Sequence, residues 1–410
     1  MEVDAQYREM VKAHTRNTIC HMPKNIVIFA DGTGQAGGIP GAIPTNVYKL
    51  YKACPQVGGT QITFYDPGVG SQTHGRQSRR RRIYNFVARA TGLGLSKNIA
   101  DCYDAIIRHY EPGDRIFLFG FSRGAYTVRS LGGLLGLCGV PAVSPRGHDL
   151  RTNKRARKRA VRRAVRWVYQ CYGRSELKRR MRQHRGEKFR NRYLAQDAIP
   201  YFIGVWDTVR ALGVPGINWL IFWRHAFHDS SLNPKVPYGR HAIAIDENRS
   251  IFAPELWDEG LNVADPDRIK QVWFPGVHTD IGGGYSESEL SDLTLEWMLA
   301  EATAIPHPLH VDLKALALKP SHRGVQHDER LGWGVLWRKG TRDRLRLNRL
   351  DCETNVTRRI KEPKVPTMRG EMPYRPVLLA AHPEFAEYYQ ALRAQRRSLI
   401  ERLGNSFARK

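Results

Sequence analysis

Acidic residues are scarce in this chain. Its 39 Asp and Glu stand against 65 Lys and Arg, a formal net charge of +26. No apolar run approaches the roughly 18 residues of a helical membrane span, so none is expected. The first twenty residues carry Glu2, Asp4, Glu9, His14 and Arg16 without an apolar core, and a secretory signal is not expected either. That leaves a cytoplasmic or peripheral-membrane location in the producing cell. Cysteine is sparse, and its six copies (Cys20, Cys54, Cys102, Cys138, Cys171, Cys352) lie far apart. Such spacing suggests neither a zinc site nor a disulfide framework, and it fits a reducing compartment. No metal and no cofactor is expected. Internal repeats are absent.

The acid deficit is local. From Leu150 to Arg192, eighteen Lys and Arg face only Glu176 and Glu187, and Arg76 with Arg79 to Arg82 adds five more positive charges. The basicity therefore belongs to two segments rather than to the fold. The rest reads as an ordinary globular chain, with 41% hydrophobic residues over 410 positions. Short apolar runs read as buried strands at Asn25 to Ala30, Gln61 to Tyr65, Ile116 to Phe119, Tyr201 to Val209 and Gln271 onward, and His241 to Glu247 is apolar, then charged. Helical spacing follows Ser96, Ser122 and Leu290. The tract from Pro306 to Arg375 reads as irregular, and a short helix is expected from Glu384 to about Leu403. Strands alternating with helices predict an α/β fold: a mainly parallel sheet with helices on both faces.

Within it, the stretch RIFLFGFSRGAYTVRSLGG, Arg115 to Gly133, changes from strand to helix across Gly120-Phe121-Ser122-Arg123-Gly124. A turn this tight lifts its apex side chain above the sheet's carboxyl edge, and bulk two residues to either side would strike neighbouring backbone. This is the nucleophile-elbow pattern; a serine that merely caps the helix is the alternative. A serine needs a base to take its proton. His278, in the loop after a strand, is the candidate base, with His327 its best rival. Asp207, at another strand end, is the candidate orienter of the imidazole, with Asp280 as substitute or loop brace. Ser122, Asp207 and His278 follow the chain order of the α/β-hydrolase triad. For the oxyanion, the amide of Arg123 is one expected donor, and the loop Asp31-Gly32-Thr33 supplies the other candidates, Gly32 and Thr33. That loop lacks the lysine and spacing of a P-loop.

The basic segment carries a helical pattern of its own. Ala160, Val161, Ala164, Val165, Val168, Tyr169 and Tyr172 share one face. Arg155, Arg159, Arg162, Arg163 and Arg166 share the other, with Trp167 at the margin. Three partners remain open: an anionic membrane surface, nucleic acid or another polyanion, or the domain itself, with the arginines solvated.

From Val27 to Met298 the segments VIFADGTGQ, TNVYKLY, YDPGVG, GLSKNIADCYDAI, GFSRGAYTVRSLGGLL, VWDTVRALG, HAIAIDE, VWFPGVHTDIGGGY and LSDLTLEWM follow one order. In these the chain resembles the α/β-hydrolase family of type VI secretion phospholipase effector catalytic domains. The resemblance implies Ser122, Asp207 and His278 as triad, phospholipid esters as substrate, possible delivery to a target cell, and a regulatory or immunity protein as partner. It covers about two thirds of the chain. Residues 1–22 then read as an N-terminal extension and 23–305 as the catalytic domain, with 147–195 a basic helical insertion. Residues 306–410 read as a C-terminal segment packing on the same domain.

Overall fold

Apolar residues that alternate between two buried faces build the centre of the molecule. In β1 (Asn25–Ala30), Ile26 and Ile28 enter one core while Val27 and Phe29 enter the other. In β3 (Arg115–Phe121), Ile116 and Leu118 face the first core, and Phe117, Phe119 and Phe121 the second. A strand buried on both faces needs apolar residues at every position, which is why these runs are continuous. The computed structural model describes residues 22–32, 42–68, 95–171, 175–209, 231–259, 265–331, 338–340, 342 and 351–390.

With β2 (Gln61–Asp66), β4 (Pro200–Trp206), β5 (Tyr238–Ala244), β6 (Ile269–Phe274) and the two-residue β7 (Asp351–Cys352), these strands form one sheet in the order β2-β1-β3-β4-β5-β6-β7. Every pairing is parallel, so the carboxyl ends of all the strands share one edge. The first core holds α2 (Leu95–His109), α3 (Arg123–Cys138) and the basic insertion. The second holds α1 (Asn46–Ala53) and α7 (Glu289–Thr303), separated in sequence by a short α6 (His278–Gly282).

The insertion is helical, as expected. It consists of α4 (Lys154–Arg163), a π-wound continuation (Ala164–Tyr169) and α5 (Glu176–Tyr193). Its predicted apolar face is buried from Ala160 to Tyr169; Tyr172 lies outside the described residues. One arginine departs from the pattern. Arg157 is buried, with Nε donating to Asp104 at 2.9 Å and Nη1 to the carbonyls of Leu150 and Arg151.

The tract read as irregular is more ordered than its sequence suggests. It supplies β7, then α8 (Thr354–Lys361) and a hairpin of β8 (Val365–Thr367) and β9 (Gly370–Met372). Val356, Ile360, Val365, Tyr374, Leu379 and Phe385 pack with Ile243, Ile245 and Trp273 from β5, β6 and the turn after β5. These apolar positions are scattered among Arg, Lys and Pro, so no periodicity marks them. Of the closing helix, residues 386–390 are helical and the remainder lies outside the described residues. Among the described residues, no helix is long and apolar enough to cross a membrane.

Candidate active site

β3 ends in a residue that no relaxed strand or helix would hold. Ser122 has φ 57° and ψ −119°, in the left-handed half of backbone space, and its amide donates to the Trp206 carbonyl at 3.1 Å. Such a conformation costs on the order of 1–3 kcal/mol and persists only where the surroundings enforce it. The surroundings here are backbone. A Cβ at Gly120 would strike the Gly124 carbonyl, and one at Gly124 would strike the carbonyls of Ala30 and Asp31. Both glycines are therefore required by close approach. The Ser122 hydroxyl does not cap α3. It lies 2.8 Å from His278 Nε2.

His278 opens α6, just past β6, and is buried between Phe121 and Phe252, whose ring centroids lie 4.7 and 5.0 Å away. Its Nδ1 lies 2.6 Å from Asp207 Oδ2. A carboxylate can only accept there, so Nδ1 carries the proton and Nε2 is left to accept from the Ser122 hydroxyl. The His278 amide donates to Glu247 Oε2 at 3.2 Å.

Asp207, just past the end of β4 with φ 38°, is wholly buried. Oδ1 accepts from the Ala244 amide at 3.0 Å rather than closing a turn on Thr208. The other partner is Arg342, which sequence reading did not single out. Its Nη1 donates to Oδ1 at 2.7 Å and its Nη2 to Oδ2 at 2.9 Å. The same guanidinium reaches the carbonyls of Ala244 and Phe252 at 2.6 and 2.8 Å. Burial alone would raise the Asp207 pKa. The Arg342 charge and its two bonds outweigh burial, with help from His278, and hold the carboxyl far below the usual carboxylate range.

The rivals form a separate pair. His327 Nδ1 meets Asp280 Oδ1 at 2.7 Å, and its ring stacks on Tyr285 with 3.6 Å between centroids. Asp280 Oδ2 accepts from the amides of Val277 and His327. Asp280 thus braces the loop ahead of His278, and its carboxylate meets the His327 ring. His327→Ala is expected to leave kcat on a soluble ester within about fivefold of the parent, since ordinary substitutions away from the chemistry act mainly on stability. Steady-state kinetics check this.

The loop after β1 departs from its expected role at one atom. The Gly32 amide donates to Asp31 Oδ1 at 2.7 Å, so this N–H is already engaged within the loop. Thr33 lies outside the described residues. Asp31 also accepts from Thr45 Oγ1 and the Tyr65 hydroxyl, each at 2.7 Å. Burial overrides these bonds and raises its pKa to about 7. Arg155, Arg159, Arg162 and Arg166 are exposed on the insertion, and Arg163 is half-buried over the Trp167 ring. None of the described hydrogen bonds or ion pairs joins them to the Ser122 site. Among the described residues, no group of three or more His, Cys, Asp or Glu is arranged to hold a metal ion.

Residues 24–301 match the family described as "T6SS, Phospholipase effector Tle1-like, catalytic domain". The chain belongs to this Tle1-like family. The parallel sheet with helices on both faces is the α/β fold expected from the sequence. A curated relative, the uncharacterized protein YEL023C of Saccharomyces cerevisiae, is 27% identical over 237 residues, which is 56% of this chain and 32% of that protein. Two solved structures are similar at 17% identity. One is an uncharacterized protein from Pseudomonas aeruginosa, with TM-score 0.41 over 78% of this chain and 50% of that one. The other is the Tle1 effector bound to the VgrG spike of the type 6 secretion system, with TM-score 0.34 over 65% and 52%. The chain spans about a third of the curated relative and about half of each structure. Arg342 lies beyond the 24–301 match, so the side chain that pairs with Asp207 comes from outside the matched region.

Proposed function

We propose that this chain is a serine ester hydrolase acting on phospholipids through Ser122, His278 and Asp207. The observation that carries the reading is the unbroken chain of contacts from Ser122 Oγ to His278 Nε2 and from Nδ1 to Asp207, at 2.8 and 2.6 Å. His278 takes the hydroxyl proton as Ser122 Oγ attacks the ester carbonyl. The negative charge on the carbonyl oxygen is met by the Arg123 amide, next in chain after the nucleophile, and by a second donor from the loop around Thr33. His278 returns the proton to the departing alcohol, leaving an acyl group on Ser122. Water then repeats the sequence and releases the acid. Asp207 stabilises the imidazolium that forms at each proton transfer.

The substrate class is inferred from the Tle1-like family. A fluorophosphonate probe tests the chemistry: it should label the unsubstituted chain on the peptide containing Ser122 and fail to label Ser122→Ala. Equal labelling of both proteins would refute the assignment.

A further inference from the structure

The basic insertion exposes two large apolar side chains that the proposed reaction does not use. Leu177 is 69% exposed and Met181 43%, whereas Val161, Val165, Val168 and Phe189 of the same insertion are buried. Leu177 and Met181 stand four residues apart at the start of α5, on one helix face. Lys178 and Arg179 beside them are exposed, and Arg180 is exposed but paired with Glu176 at 3.0 Å. Trp167, at the margin of the predicted apolar face, is engaged elsewhere. Its ring lies 4.7 Å from the Arg163 guanidinium and 5.3 Å from that of Arg185, and it packs on the buried core.

Topology runs the start of α5 toward the Ser122 edge of the sheet. α5 descends into the start of β4, so its last turn lies at the opposite edge. Gly186 rests on the Leu137 carbonyl in the last turn of α3, the helix that starts at Ser122. Leu177 lies nine residues before Gly186, which is about 13 Å of helix toward the Ser122 edge. The end of the π-wound segment reaches the same edge, where Gln170 Nε2 donates to Ser96 Oγ at the start of α2.

We infer that the start of α5 is a docking site for an anionic membrane. Leu177 and Met181 enter the apolar boundary while the cations beside them meet lipid phosphates. A nucleic-acid duplex would use the same cations but gains nothing from burying an apolar pair; a bilayer uses both. The inference rests on the phospholipid reading above only for its purpose, not for the binding itself.

The full chain carrying Ser122→Ala, which leaves vesicles chemically intact, should co-sediment with vesicles of phosphatidylcholine mixed with phosphatidylglycerol. It should bind pure phosphatidylcholine less, and high salt should weaken the anionic binding. Leu177→Ser with Met181→Ser should weaken binding by about tenfold or more. Leu177→Phe with Met181→Phe should keep it, and circular dichroism melts establish that both variants are folded. Undiminished binding by the serine pair overturns the site. So does duplex DNA binding without vesicle binding, or equal loss in the phenylalanine pair. Fatty-acid release by the unsubstituted chain from detergent-dispersed phospholipid reports separately on the hydrolase reading. Release without docking sinks the site alone; docking without release sinks the hydrolase reading alone.

Discussion

Ser122→Ala and His278→Ala are each expected to lower kcat on a soluble ester by roughly 10⁴–10⁶-fold, and the double variant should be scarcely slower than either. The two side chains act at one step. Without the hydroxyl there is nothing to acylate, and without the imidazole there is nothing 2.8 Å away to take the proton. Once one is gone, the other has little left to contribute. Losses that multiply instead would mean that the two residues act independently and that His278 is not the base. Ser122→Ala removes only a hydroxyl and should keep the parent's melting temperature; His278→Ala also removes a buried ring and its 2.6 Å contact with Asp207 and should melt lower, so its kcat is measured well below its own melting temperature. The loss is then read as chemistry rather than unfolding.

Arg342→Gln is expected to lower both stability and kcat. The pair it forms with Asp207 is buried on both sides, at 3% and 0% side-chain exposure. Removing one partner of a buried pair costs about 3–5 kcal/mol, because the other charge is left without compensation. The sign with pH follows from the direction of the shift. The Asp207 carboxyl is held far below its ordinary value, so its contribution to stability is present above the unfolded pKa of about 4 and fades as pH falls through and below it. Arg342→Gln should therefore be least stable relative to the parent at neutral pH, with the gap narrowing toward strong acid. Arg342 touches Asp207 and not the nucleophile, so kcat should fall about 10–100-fold with KM nearly unchanged, as for an orienting residue. Arg342→Lys restores charge without the two parallel bonds and should fall between. Urea unfolding across pH, with kinetics at neutral pH, checks each part. A gap constant with pH, or an unchanged kcat, would remove Arg342 from the site.

What could be read from sequence alone was what is local. The elbow is five consecutive residues whose glycines answer to backbone a few ångströms away, so strand, turn and helix were all visible between Arg115 and Gly133. Asp207 and His278 stand at strand ends that apolar runs marked, and the parallel sheet sets those ends on one edge. Arg342 had no such marker. It is one of five arginines between 338 and 349, and it reaches Asp207 across 135 residues of chain. Burial distinguishes it, and burial is settled by the fold. The two residues of β7 were equally silent, since a strand that short has no period. Trp167 illustrates the reverse limit. Helical spacing set it correctly at the edge of the apolar face, but a second guanidinium beside its ring, in addition to that of Arg163, comes from Arg185 on a different helix. Gly32 was assigned from its loop, and the neighbouring Asp31 carboxylate, taken up in the same turn, claims its amide.

Ser122 is proposed to carry out ester hydrolysis on phospholipids. The most direct test of this is to incubate the purified chain with mixed phospholipids and identify the products by mass spectrometry, beside Ser122→Ala. Free fatty acids and the matching lysophospholipids are expected from the parent, and neither from Ser122→Ala. Products that appear equally with both proteins, or none from the parent on any phospholipid while a simple soluble ester is cleaved, would contradict it.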